Sequence, residues 1–157
     1  MQIKAIVLGI GNPFMADDSV GIKVAEALEG IVATDILTTT DFNIIDVVLG
    51  YDRAIIVDGV KTGNEPGTII EMGMDQLFSS YRFSGTHNLS LTTSLKIGYD
   101  LFGDEMPSDI RIIGIEVEDI ENFGKGCPPK VEAAIAPAIE TVKRYLKKSP
   151  IIDIAPS

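Results

Sequence analysis

The stretch RAIIVDGV, residues 53–60, constrains the fold most. Its apolar residues do not alternate with polar ones, so a strand made from it is apolar on both faces, as a central parallel strand should be. Other Ile- and Val-rich runs alternate along the chain with segments of helical period. IKAIVLG (3–9) reads as a buried strand. DSVGIKVAEALEG (18–30) reads as a helix, with Val20, Val24, Ala25 and Leu28 at helical spacing and Gly30 as a stop. IVATDIL (31–37) is a second strand, DFNIIDVVLG (41–50) a short helix closed by Gly50, and GTIIEMG (67–73) a fourth strand after 53–60. NLSLTTSLKIGYDLFG (88–103) is a helix with Leu91, Leu95, Gly98 and Phe102 on one stripe, and DIRIIGIEV (109–117) a fifth strand. PPKVEAAIAPAIETVKRYLKK (128–148) is the clearest helix: prolines begin it, Lys and Arg crowd its end, and Pro137 predicts a kink. This alternation predicts an α/β sandwich with a mostly parallel sheet. In such sheets, sites form beyond the carboxyl ends of the strands.

Composition bounds what such a site can serve. Hydrophobic residues make up 45% of the 157, enough for one sizeable core. No repeat or linker divides the chain, so residues 1–157 read as a single domain, with 149–157 a loosely held tail. The net charge of -10 repels phosphate backbones and anionic membranes, which argues against nucleic-acid partners. Cys127 is the only cysteine, which excludes an intrachain disulfide and a cysteine-rich zinc site. The N-terminal apolar run stops at Gly9, too early for a signal peptide, and no run approaches a membrane span. A cytoplasmic chain without membrane insertion is the expectation.

Three polar stretches fall at or near strand ends: Asn12 to Asp18, Asp58, and SGTHN (84–88). The first belongs to LGIGNPFMADDSVG (8–21), whose glycines resemble a phosphate loop. A dinucleotide fingerprint requires a third glycine where Phe14 stands, and a P-loop requires a Gly-Lys-Ser/Thr ending that is missing. Asp17 and Asp18 would also occupy the positive helix end that an anion needs. No bound nucleotide cofactor is therefore expected. The glycines instead let the chain turn sharply off the first strand.

Each acidic candidate has two readings. Asp17 or Asp18 can cap the helix, worth about 1 kcal/mol, but one cap needs one acid, leaving the other for a cation. Asp58 ends an apolar strand, where a carboxylate is costly unless solvated, hydrogen-bonded or facing a ligand. His87, the only histidine, is either structural or the imidazole of a mixed site with two carboxylates, a set suited to a divalent transition metal. A serine hydrolase is disfavoured, because Ser84 stands in no Gly-x-Ser-x-Gly elbow, and nothing marks Cys127 as an activated nucleophile.

GIGNPFMADDSVGIKVAEAL, AIIVDGVKTGNEPGTI, THNLSL and VEAAIAPAIETV, in this order over about residues 3–147, resemble the maturation endopeptidases of nickel-iron hydrogenases. The resemblance implies a twisted five-stranded sheet between helices. It implies removal of a C-terminal extension from a nickel-loaded hydrogenase large-subunit precursor. It also implies that Asp18, Asp58 and His87 bind a divalent metal and carry the catalysis, with Asp17 as cap or assisting base. Nickel is sensed in the precursor or bound at the site, with cadmium or zinc as substitutes. The alternative is a non-catalytic module of the same fold that binds a divalent metal or another ligand. Three departures from the family pattern stand out: Ser19 where glycine is common, TTTDFN (38–43) where Gly-Gly-Thr is common, and Val117 where proline is common. The second is where precursor specificity is expected to differ.

Overall fold

The computed structural model describes residues 3–11, 19–38, 43–75, 88–118 and 128–148. The elements run β1 (Ala5–Ile10), α1 (Val20–Ala27), β2 (Ala33–Leu37), α2 (Asn43–Val48), β3 (Arg53–Val60), β4 (Ile69–Gly73), α3 (Asn88–Phe102), a 3-10 turn (Gly103–Glu105), β5 (Asp109–Glu116), α4 (Pro129–Glu132) and α5 (Ile135–Lys147). The five strands form one sheet in the order β2-β1-β3-β5-β4. β2, β1, β3 and β5 are mutually parallel, with registers that align Val7 with Ile55 and Ile55 with Arg111. β4 runs antiparallel on the edge, pairing Ile70 with Gly114. Its direction follows from the connection: residues 61–68 are too few for a parallel crossover, so the chain turns back along β5.

β3 is buried along its whole length, as its sequence requires. Alternate residues feed two cores. Ile6, Leu8, Ile10, Ala54 and Ile56 pack with Ile44, Ile45 and Val48 of α2 and with Leu91 and Leu95 of α3. Val7, Ile55, Val57, Ile113 and Ile115 pack on the other face, with Val20, Val24 and Leu28 of α1 and with Val131, Ala138 and Val142 of α4 and α5. The result is a three-layer α/β sandwich. Among the described residues no helix is long and apolar enough to cross a membrane.

Two helical segments depart from the sequence expectation. α1 ends at Ala27 with Leu28 as its C-cap, so Gly30, at φ +83°, shapes the following turn rather than stopping the helix. The expected single helix over 128–148 is two. Pro137 has no N–H to give the carbonyl four residues earlier, so the chain breaks at Ala133–Ala134. Pro137 then falls in the first turn of α5, where that N–H is not required.

At the amino ends of the strands, Arg53 is fully buried. Its Nε donates to Asp109 Oδ2 at 2.6 Å, and its Nη1 donates to the carbonyls of Tyr145 and Lys148 at 2.5 and 2.7 Å. A guanidinium thus closes the last turn of α5, where Tyr145 O also takes the Lys148 N–H at 3.3 Å, and ties it to β3 and β5.

Candidate functional site

The carboxyl ends of β1, β3 and β5 share one edge, because these strands are parallel. Asp58 stands there. It follows Val57, which pairs with Gly9, and it lies opposite Gly114 of β5. Alternation places its side chain with Ile56 and Val60, on the face covered by α2 and α3. Asp58 is 1% exposed, and both its carboxylate oxygens are buried. Of the three ways to accommodate a carboxylate at a strand end, solvation is therefore removed, leaving a hydrogen-bonded or ligand-facing group.

Asn12, Pro13, Asp17, Asp18, Ser84, His87 and Cys127 lie outside the described residues, as do 39–42 of the variant loop and the tail 149–157. What the structure gives is the elements that flank them. His87 immediately precedes α3, whose Leu91 and Leu95 pack on the same face as Asp58. Asp18 precedes Ser19, which holds the N-cap position of α1 and makes no side-chain cap bond. Among the described residues, no three His, Cys, Asp or Glu side chains stand within reach of one cation, and Asp58 is the one expected ligand that is described.

The start of α1 is fixed by two glycines. A Cβ on Gly21 would meet Val57 O at 2.3 Å and Ile10 O at 2.9 Å. A Cβ on Gly9 would meet Gly21 O at 2.5 Å. Backbone therefore touches backbone where the first turn of α1 crosses the ends of β1 and β3, one residue from Asp58. This corrects the expectation for Gly9. It is a strand residue needed for close approach, not a turn residue, and even Gly11 continues the ladder, its N–H donating to Leu37 O at 3.1 Å.

The same edge holds a carboxylate that the sequence reading passed over. Glu116, 1% exposed, ends β5 and accepts hydrogen bonds from Thr62 N at 3.0 and 2.9 Å and from the Thr62 hydroxyl. The signal that marked Asp58, an acid closing an apolar strand, was equally present in IIGIEV. Val117 donates its N–H to Val60 O at 2.9 Å, a bond that a proline there would lack. Farther along the β3–β4 connection, Lys130 Nζ contacts Glu65 Oε1 at 2.9 Å. The hydrogen bond from Lys130, and then its charge, hold the Glu65 carboxyl below its ordinary value.

Comparison with known proteins gives this edge a context. The family profile described as hydrogenase maturation protease matches residues 22–145. The hydrogenase 2 maturation protease of Escherichia coli is 28% identical, over 94% of this chain and 93% of that one. The hydrogenase expression/formation protein HupD of Thiocapsa roseopersicina is also 28% identical, over 95% of this chain and 70% of its own. In three dimensions the hydrogenase maturating endopeptidase HybD of E. coli superposes with a TM-score of 0.76 at 26% identity, covering 92% of both chains. The HybD structure from Thermococcus kodakarensis, at 22% identity and a TM-score of 0.80, covers 92% of this chain and 100% of that one, and supports the fold. With the matched profile spanning most of the sheet and its helices, this chain belongs to the hydrogenase maturation protease family.

Proposed function

We propose that this chain is a nickel-directed endopeptidase, removing the C-terminal extension of a nickel-iron hydrogenase large-subunit precursor in the cytoplasm. The observation that carries the reading is Asp58. In a chain of this family, it is a carboxylate withdrawn from solvent at the carboxyl end of the central strand. Asp18 and His87 are the partners proposed for it, on the sequence resemblance and on their places just before α1 and α3.

Two carboxylates and one imidazole suit a divalent transition metal, with nickel the proposed ion and cadmium or zinc as substitutes. When held there, or presented by the precursor, the metal supplies Lewis acidity toward the scissile carbonyl or its attacking water. The protein's own contribution is positional. Asp58 is backed by β5 on one side and by the end of β1 on the other, so its carboxylate needs little reorganisation to meet a ligand. Asp17 is assigned to cap the start of α1 or to assist as a base.

Mixing the protein with nickel-loaded and nickel-free precursor, and following the mass of the large subunit, tests the reading. Loss of a C-terminal peptide from the nickel-loaded form alone is the expected result. Asp18→Ala, Asp58→Asn and His87→Ala should each keep the fold and stop the cleavage. Processing at the wild-type rate by all three would refute the site. Nickel binding without cleavage would make the chain a non-catalytic binding module.

A further inference from the structure

Glu116 and Asp58 are neighbours on one face of the sheet. In the β3–β5 ladder Asp58 lies opposite Gly114 and Val60 opposite Glu116, so the two acids are offset by two residues on adjacent strands. Gly114 puts no side chain between them. The Glu116 carboxylate is turned to Thr62, accepting its N–H and its hydroxyl. Its backbone takes the other end of the same connection: Gly67 N–H donates to Glu116 O at 2.8 Å, and Glu116 N–H donates to Thr68 O at 2.8 Å. One residue therefore holds both ends of segment 62–68, which leaves β3 just past Asp58. Within the segment, Asn64 Nδ2 donates to Thr62 Oγ1 at 2.8 Å, and the Thr68 hydroxyl donates to Glu65 O at 2.6 Å.

The two ends are held by different means. The Thr68 end depends on backbone bonds and on the β4–β5 ladder, which no substitution of the Glu116 side chain removes. The Thr62 end, nearer Asp58, depends on the carboxylate. Hydrogen bonds to a charged acceptor are the strong ones, and here they converge on one half-buried residue. The carboxylate thus acts on the end of the connection that the β4–β5 ladder does not reach, the end that leaves β3 beside Asp58. We propose that Glu116 is a positioning residue for the cleavage reaction. Its carboxylate clamps Thr62 and so holds segment 62–68 as a fixed wall beside Asp58, against which the precursor's chain is laid. The assignment rests on the endopeptidase reading above.

Amide exchange and precursor processing by the full-length protein test it together. Glu116→Ala should speed exchange of the Thr62 amide about ten- to a hundredfold, the range that charge-assisted hydrogen bonds supply. It should also lower kcat for processing about tenfold or more with KM little changed, as a loosened reaction geometry does. Glu116→Gln should rescue both, because its amide oxygen still accepts from Thr62 N–H and its nitrogen can donate to Thr62 Oγ1. Thr62→Val keeps the Thr62 N–H bond to the carboxylate but loses the hydroxyl's bonds to Glu116 and Asn64, so it should fall between the two, and it decides the matter if Glu116→Ala fails to fold. Wild-type kcat in Thr62→Val and Glu116→Ala, unchanged Thr62 exchange, or no rescue by glutamine would overturn the assignment. If the wild-type chain cleaves no nickel-loaded precursor, the endopeptidase reading fails instead, and Thr62 exchange alone then decides whether the clamp exists.

Discussion

Gly21→Ala puts the helix–sheet contact at the carboxyl edge to the test. The new Cβ would lie 2.3 Å from Val57 O and 2.9 Å from Ile10 O. Both obstacles are backbone, held in place by the ladder between β1 and β3. Real Cβ contacts begin near 3.0 Å, so moving from 2.3 to 3.0 Å pushes the first turn of α1 back by about 0.7 Å. Val20 and Val24, both fully buried on α1, would be lifted from their contacts with Val57 and the rest of that core. Overpacking of this kind costs about 1–3 kcal/mol, while alanine's advantage over glycine within a helix returns about 0.5–1 kcal/mol. Taking the middle of each range, the net loss is about 1 kcal/mol, or a fall in Tm of about 2–4 °C for a domain of this size. Gly98→Ala in α3 is the matched control. Its Cβ would meet Met106 Cε at 2.7 Å and Sδ at 3.1 Å, the far end of a flexible side chain that can swing aside, and Ile45 Cγ1 at 3.3 Å, which has to give by only a few tenths of an ångström. It should stay within about 0.5 kcal/mol of wild type, because the same propensity gain offsets a small repacking cost. Thermal and urea unfolding followed by circular dichroism would measure both. If Gly21→Ala proves as stable as Gly98→Ala, the backbone-to-backbone contact does not have the closeness claimed for it.

Three further outcomes are expected. Arg53→Met should cost about 3–5 kcal/mol in denaturant unfolding, because it strips the main partner from the buried Asp109 carboxylate. Arg53→Met combined with Asp109→Leu should recover part of that loss, and a strictly additive double variant would contradict the coupling. Nuclear magnetic resonance titration should find the Glu65 carboxyl ionising below 4.5, with Lys130→Met raising it, and with the difference shrinking in high salt. Since the folded value is the depressed one, this pair's contribution is complete above the ordinary carboxylate value and lost as pH falls through the lowered one. Tyr99 and Tyr145 should stay protonated above 10.0, mainly through burial, with Asp109 adding to the effect on Tyr99 and Glu71 to that on Tyr145. Unfolded tyrosines release protons that these two retain, so stability should fall as pH rises past 10.0, visible in alkaline unfolding and phenolate absorbance.

Period and composition alone determined the layers of this protein. RAIIVDGV is apolar throughout because both its faces are covered, and the helical spacing in 18–30 and 128–148 marked the segments that cover one of them. Those features are local, since each residue's burial follows from its place in a repeating element. Asp58 was legible for the same reason: an acid that closes an apolar strand is conspicuous in one dimension. Tertiary structure decided what depends on residues far apart in the chain. The place of β4 at the edge, with β5 inserted between it and β3, is one such outcome. Gly9 and Gly21 draw their meaning from each other, twelve positions apart in sequence yet in backbone contact. Arg53 looked like an ordinary polar residue at a strand end, and Glu116 carried the same mark as Asp58 with nothing local to name its partner. Only the fold supplied the α5 carbonyls for the first and Thr62 for the second, and burial then made those partners necessary.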